Sequence, residues 1–207
     1  MSTKELQCSK CRRAGEKLFL KGDKCSGPKC PLLKRKYAPG QHGPNARRVK
    51  LSNFGKQLKE KQEAKRIYGM REKQFVRYVD EAGKKVGDTG KLLLTLLESR
   101  LDNAVYRMGL APSRATARQI VNHGHMEVNG KKVDIPSYRI KVGDIISIRD
   151  KSKTKNLFEN ATEKLSKADV PHWLAVDSKK LESKVLNTPV LDSPSFSIKD
   201  IIEFYSR

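Results

Sequence analysis

The sequence predicts an α+β fold built from unlike parts, on three grounds. Four cysteines stand in two close pairs near the N terminus. A middle stretch repeats apolar residues at three- and four-residue spacing, the period of a helix with one buried face. A later stretch keeps that period and then alternates around Asn129-Gly130, the strongest short-range hairpin signal. The expected architecture is an N-terminal metal-held knuckle, a mainly helical domain, and a compact α/β module of two short helices on a small twisted sheet. At 207 residues, one large or two small domains fit.

Hydrophobic residues make up 37% of the chain and charged ones 32%, so its cores are thin and its surface ionic. Lys and Arg number 44 against 23 Asp and Glu, a formal charge of +21. Such a chain repels itself until a polyanion neutralises it, which points to nucleic acid ahead of an anionic membrane. The run Leu92–Leu97 is far short of the ~20 residues needed to cross a bilayer. Met1-Ser2-Thr3-Lys4-Glu5 has no signal-peptide core, so a cytoplasmic chain without membrane association is expected. The excess is graded, from 14 basic and 3 acidic residues in 1–50 to 10 and 8 in 151–207. Polyanion contact should therefore be strongest at the N-terminal end, and a protein neighbour is expected near the C terminus. A disordered basic tail would give the same gradient, but the first fifty residues also hold every cysteine, which argues for a tied-down segment.

The pattern Cys8-x2-Cys11, then Cys25-x4-Cys30, matches tetrahedral zinc held by four thiolates. Each short spacer lets one turn present two sulfurs, and Gly27-Pro28 supplies a bend. Lys10, Arg12, Arg13, Lys24 and Lys29 favour the thiolate forms. Disulfides need an oxidising compartment; an iron–sulfur cluster, a redox pair or free thiols are the other uses of the same residues. Four thiolates leave no open position, so the expected zinc is structural. It would supply folding free energy that a short basic segment cannot gain from apolar burial, roughly 10–16 kcal/mol in peptide-sized sites. His42, twelve residues past Cys30, reads better as a phosphate-facing imidazole than as a ligand.

Lys34-Arg35-Lys36-Tyr37 and Arg47-Arg48-Val49-Lys50 flank Pro39-Gly40-Gln41-His42-Gly43-Pro44, too rich in Pro and Gly for regular structure. An extended loop with basic shoulders suits a strand of phosphates; a solvated linker is the other reading. Asn53 can cap a helix running toward Ile67, with Phe54 and Leu58 on one face and Gly69 ending it. Lys56, Lys59, Lys61, Lys65 and Arg66 are expected on its exposed surface. A second helix, from about Arg71 to Lys84, should bury Phe75, Val76, Val79 and Ala82 and show Lys73, Gln74, Arg77 and Tyr78 to solvent.

From Leu92 to Met108 apolar residues recur at helical spacing, and Gly109 stops the pattern. Ser113 is a candidate N-cap for a helix carrying Arg114 and Arg118 and closed by Gly124. Met126-Glu127-Val128 and Lys131-Lys132-Val133 form the hairpin, and Ile140, Val142, Ile145, Ile146 and Ile148 read as further strands. Arg114, Arg118, Lys131 and Lys132 should make a basic edge spaced for phosphates. His123-Gly124-His125 lacks a nearby acid or thiol, which disfavours a metal there.

Ser99-Arg100-Leu101-Asp102-Asn103-Ala104-Val105-Tyr106-Arg107 and Ser113-x3-Ala117-Arg118-Gln119-Ile120-Val121-x-His123-Gly124-His125-x2-Val128-Asn129-Gly130 resemble the S-four-type RNA-binding domain. Pro39-Gly40-Gln41-His42-Gly43, Arg71-Glu72-Lys73-Gln74-Phe75 and Glu203-Phe204-Tyr205-Ser206-Arg207 extend the resemblance to the small-subunit ribosomal protein four family, of bacterial or organellar type. The cysteines are similar to those of its zinc-carrying subset. The chain departs from the pattern before its last helix, reading Pro189-Val190-Leu191-Asp192-Ser193-Pro194 in place of Pro-x-Arg-Glu-Asp.

The resemblance implies a ribosome-bound primary binder of small-subunit ribosomal RNA that nucleates assembly of the subunit body and contributes to translational accuracy. It implies contact with small-subunit protein five and, for accuracy, protein twelve, and a place near the messenger RNA entry path. It also implies a module inserted into a helical domain that the C-terminal segment completes. Residues 1–44 are then the zinc segment and basic loop, 45–90 the first part of the helical domain, 91–152 the S-four-type module, and 153–207 the completing segment. Leu157, Ala161 and Leu165 at four-residue steps, Trp173 as a lone anchor, and Ser197-x2-Asp200 opening a last helix support that closure. The candidate RNA-binding residues are Arg12, Arg13, Lys34, Arg35, Lys36, Tyr37, His42, Arg47, Arg48, Lys50, Lys56, Arg71, Lys73 and Arg77, with Arg114, Arg118, His123, Lys131 and Lys132 in the module. An enzyme guided by this module has no stretch left for a catalytic domain. A zinc-containing DNA-binding regulator lacks the His pair of the common finger and a dimer seam.

Overall fold

The computed structural model describes residues 3–45, 50–191 and 193–206. The chain divides into two compact units, Met1–Gly90 with Ser193–Arg207, and Lys91–Asp192. The helical unit holds α1 (Thr3–Ala14), α2 (Asp23–Ser26), α3 (Pro31–Lys34), α4 (Asn53–Ile67) and α5 (Glu72–Lys84). α6 (Thr89–Glu98) leads into α7 (Leu101–Arg107), α8 (Arg114–Asn122), β1 (Met126–Val128), β2 (Lys131–Val133) and β3 (Ile145–Ile148). Then come α9 (Asp150–Lys153), α10 (Ala161–Lys167), β4 (Leu174–Asp177), β5 (Glu182–Val185) and α11 (Ile198–Tyr205).

The cap of α4 is Ser52 and not the expected Asn53, which is the first helical residue; Ser52 Oγ accepts from the Gly55 N–H at 3.2 Å. It ends where Gly69 takes φ 60°. The Met70 and Gly69 amides there donate to Lys65 and Arg66 carbonyls, an ending open to glycine because a left-handed residue must follow the last turn. α11 packs on α4. Ser197 caps it, its hydroxyl accepting from the Asp200 N–H at 3.3 Å, as expected. Phe54 meets Phe204 with ring centroids 5.4 Å apart.

Two side chains expected in solvent are inside. Tyr78 is buried within the helical unit. Lys61 is 5% exposed, its ammonium 2.7 Å from Glu72 Oε1 and 4.4 Å from the Phe204 ring centroid. Helical spacing assigns every lysine to water, whereas a carboxylate and an aromatic face supplied from elsewhere in the chain can replace that water.

In the second unit the described residues form a five-stranded antiparallel sheet ordered β2-β1-β3-β5-β4. Asn129 and Gly130, at φ 51° and 74°, make the expected mirror-image turn between β1 and β2. α7 and α8 pack together, and Val105, Met108, Ile120, Met126 and Ile148 share their core with Trp173 and Val185. The boundary expected at 152–153 is therefore corrected. Residues 153–191 complete the module rather than the helical domain, because β5 pairs with β3 and Trp173 is fully buried in the module core. Only the segment from Ser193 joins α4 and α5 in one compact unit. The ladder Leu157, Ala161, Leu165 is broken: Phe158 is buried and Leu157 exposed. Of the strands expected between Ile140 and Ile148, only β3, Ile145–Ile148, forms among the described residues.

Glu63 on α4 is 2% exposed. Burial first, then the charges of Glu16 and Glu60, push its carboxyl up to about 7, against Lys59 and a hydrogen bond from Ser195. A raised carboxyl binds its proton more tightly in the folded state. The stability it contributes is present below the unfolded value near 4.5 and is lost as pH rises through about 7. Glu63→Gln is expected to remove that loss, so that urea midpoints at pH 5 and pH 8 converge relative to the parent chain.

Candidate nucleic-acid interface

Cys8 and Cys11 lie on α1, Cys25 on α2, and Cys30 immediately before α3. The first pair thus sits on a helix and not in a knuckle turn. All four are free thiols, and all but Cys8 are buried. Burial raises the Cys11 thiol, a backbone hydrogen bond from Leu18 lowers it, and the charges of Cys25, Cys8 and Cys30 raise it further. A second backbone donor, Lys21 N–H, reaches Cys25 Sγ at 3.3 Å. Backbone N–H groups aimed at sulfur support thiolates. The donor set suits zinc in chemistry and burial. Among the described residues, however, no three of these side chains stand together as a metal-ligand group.

The expected cations of this unit are mostly in water. Arg13, Lys34, Arg35, Lys36, Tyr37, His42, Lys50, Lys56, Arg71, Lys73 and Arg77 are exposed; Arg47 and Arg48 lie outside the described residues. Arg12 is half-buried and tied down. Its Nε and Nη2 donate to the Tyr37 and Ala38 carbonyls at 3.0 and 3.3 Å, and its guanidinium lies 4.8 Å from the Tyr37 ring centroid. It joins α1 to the Pro-Gly loop. In that loop Gly43 is buried against the Ala38 carbonyl so closely that a Cβ has no space. Burial, followed by the charge of Arg13, lowers the Arg66 guanidinium, a sign of two cations crowded on α1 and α4.

In the module, the arginines are braced by acids that the sequence reading overlooked. Glu98 is fully buried and accepts from Arg107 Nε at 2.9 Å and Nη2 at 3.2 Å. Arg114 Nε donates to Asn103 Oδ1 at 2.8 Å, its Nη2 lies 3.9 Å from Glu98, and it stacks on Tyr106 at 4.6 Å. Asp102 takes a two-point contact from buried Arg100 at 3.0 and 2.7 Å and stands 3.8 Å from Arg118. The Arg114 side chain is only 18% exposed and that of Arg118 is 38%, so Arg118 presents more of itself to solvent. Lys131 and Lys132 are exposed on β2, and the Lys132 stem lies against Gly124 at the end of α8. His123 is exposed; His125 is a core residue, with Nδ1 3.0 Å from Ser152 Oγ. Burial, then the charges of Lys155 and His123, lower its imidazole and favour the neutral ring. A signal for the missed acids did exist: Glu98 and Asp102 flank Ser99 and Arg100 inside the most apolar helical stretch, where a carboxylate requires a buried partner.

A small antiparallel module with a braced arginine helix and, as a separate unit, a strongly basic helical domain are the features of an RNA-binding protein. Residues 3–98 match the ribosomal protein S4/S9 N-terminal domain, and residues 99–146 match the S4 domain. The chain is 53% identical over 202 residues to small ribosomal subunit protein uS4A of Alkaliphilus metalliredigens, covering 97% of this chain and 96% of that protein. It is 52% identical over 205 residues to uS4A of Alkaliphilus oremlandii, covering 98% of each. It is 51% identical over 202 residues to uS4 of Acetivibrio thermocellus, covering 97% of this chain and 96% of that protein. The chain belongs to the uS4 family of small ribosomal subunit proteins, a family of structural ribosomal proteins and not of enzymes.

Removing one partner of a buried ion pair strands the other, at about 3–5 kcal/mol. Glu98→Gln is expected to lower unfolding free energy by roughly that much, whereas Arg118→Ala, at a half-exposed pair, should cost under about 1 kcal/mol. Denaturant titration followed by Trp173 fluorescence measures both.

Proposed function

We propose that this chain is a structural constituent of the small ribosomal subunit that binds its ribosomal RNA directly, nucleates assembly of the subunit body, and contributes to translational accuracy. The observation that carries this reading is the basic excess, which internal pairing does not absorb: exposed cations run from Arg13 through Lys34, Arg35 and Lys36 to Arg71, Lys73 and Arg77. Phosphates neutralise such cations and release counterions. Where RNA helices converge, that neutralisation lowers the repulsion holding the junction open, and shape is read rather than base sequence. In the module, Arg118, Lys131, Lys132 and His123 form the RNA edge, with Arg114 held beneath it by Asn103 and Glu98. Small-subunit proteins five and twelve and the messenger near its entry path complete the proposed surroundings.

Structural zinc on Cys8, Cys11, Cys25 and Cys30 belongs to the same proposal. It would draw the mutually repelling thiolates together and fix the N-terminal helices that carry the most basic part of the chain. Buried thiols of free cysteines and two backbone donors to sulfur support it.

Arg71→Glu with Lys73→Glu should weaken binding to small-subunit ribosomal RNA by about tenfold or more through lost phosphate contacts, while Lys179→Glu with Lys180→Glu should change it by less than about twofold. Equal losses in a filter-binding assay would refute the graded interface. Elemental analysis should find one zinc per chain, and Cys11→Ser should abolish it while lowering helix content by circular dichroism. Full helix content after metal removal would count against a structural ion.

A further inference from the structure

β2, which carries Lys131 and Lys132, lies at the edge of the sheet, with β1 as its one neighbour there among the described residues. Its ladder to β1 is three residues long, and a short two-stranded hairpin is at best marginally stable in water. The two lysines therefore need a brace that this ladder does not supply.

The brace sits in the turn. Asn129 donates its backbone N–H to the Ile145 carbonyl and accepts the Ile145 N–H on its Oδ1, both at 2.9 Å. Its Nδ2 donates to Asp144 Oδ1 at 2.8 Å, and Asp144 Oδ2 accepts from the Lys141 N–H at 2.7 Å. The Asp144 carbonyl in turn accepts from the Val185 N–H of β5 at 2.9 Å. Asn129 thus carries the pairing of β1 with β3, which otherwise ends at Val128 and Ile146, one residue into the turn. The hairpin is tied to the middle of the sheet.

Turn geometry does not ask for this residue. A φ of 51° is open to Asn, Asp and Gly alike. Only a carboxamide offers an acceptor to the Ile145 N–H and a donor to the Asp144 carboxylate at once. Glycine offers neither, and an aspartate would set a second carboxylate against Asp144.

We propose that Asn129, held by Asp144, is a positioning residue for RNA binding. It fixes the hairpin so that Lys131 and Lys132 meet phosphates without first having to be ordered. The inference rests on the reading of those two lysines as part of an RNA edge, and it gives an acid on the neighbouring turn a part in that edge.

Filter binding of small-subunit ribosomal RNA to the full chain tests it. Asn129→Gly, which keeps the turn and the net charge, should weaken binding by about threefold to tenfold through the lost side-chain hydrogen bonds. Asn129→Asp should weaken it further, through repulsion at Asp144. Asn129→Asp/Asp144→Asn keeps the net charge and reverses the direction of the bond between the two side chains, so affinity should return to within about twofold of the parent. Added to Lys131→Gln/Lys132→Gln, Asn129→Gly should change affinity by less than about 1.5-fold, since no ammonium is left on β2 to position. Amide hydrogen exchange over 131–133 should be faster in Asn129→Gly than in the parent, with α8 unchanged. Undiminished binding by Asn129→Gly, equal losses with and without the two lysines, no recovery in the double exchange, or unaltered exchange in β2 overturns the proposal and leaves the RNA reading intact. Failure of the parent chain to bind the RNA refutes the RNA reading and the proposal with it.

Discussion

Mutual repulsion among surplus cations is the constraint that the rest of this structure works against. With 44 basic side chains and 23 acidic ones, 21 positive charges have no acidic counterpart however the chain folds. Compaction brings them closer, and two like charges at 4 Å repel by about 1 kcal/mol in water and about 4 kcal/mol near a protein surface. A fold can bear this only if its own carboxylates go where they are needed most and the remaining cations stay in high dielectric until a polyanion arrives.

The placement of the acids follows that logic. Glu98 and Asp102 are spent inside the module on Arg107, Arg114, Arg100 and Arg118. Glu72 joins Lys61, Lys65 and the Tyr205 hydroxyl in the helical unit. Burial would raise the Glu72 carboxyl, but hydrogen bonds from Lys61, Lys65 and Tyr205 outweigh it and hold the group at about 2. Buried ion pairs of this kind add little stability over apolar packing, but they fix direction. Arg114, with its flat face on Tyr106 and its Nε on Asn103, has few rotamers left to lose on meeting a ligand. Meanwhile the exposed cations of Lys34–Lys36 and of α5 remain in water, where repulsion is cheapest and phosphates can reach them.

Periodicity and turn chemistry made the helices α4, α5, α8 and α11 and the Asn129-Gly130 hairpin legible, because each carries its own local instruction: Ser113 and Ser197 as caps, Gly69 and Gly124 as stops. β4 and β5 were not legible. Each is four residues long, and β5, reading Glu182-Ser183-Lys184-Val185, looks like loop until its pairing with β3 buries Ser183 and Val185. The same non-local pairing moved 153–191 out of the helical domain. At the interface, the exposed lysines and arginines could be named from charge alone. Glu98, Asp102 and Asn103 could not, since their work depends on α7 and α8 coming together, and Lys61 was misplaced because its covering rings arrive from the C terminus. The Cys8, Cys11, Cys25, Cys30 pattern was plain as spacing, but its placement across α1 and α2 was not, because spacing is silent on whether a turn or a helix carries a pair.

The central claim is that unpaired cations on a braced scaffold meet RNA phosphates, and the salt dependence of binding tests it most directly. The association constant for small-subunit ribosomal RNA, measured over a series from about 0.05 to 0.5 M monovalent salt, should fall linearly on logarithmic axes. Six or more phosphate contacts predict a slope steeper than about −4. A slope near zero with undiminished affinity would contradict phosphate neutralisation as the basis of binding.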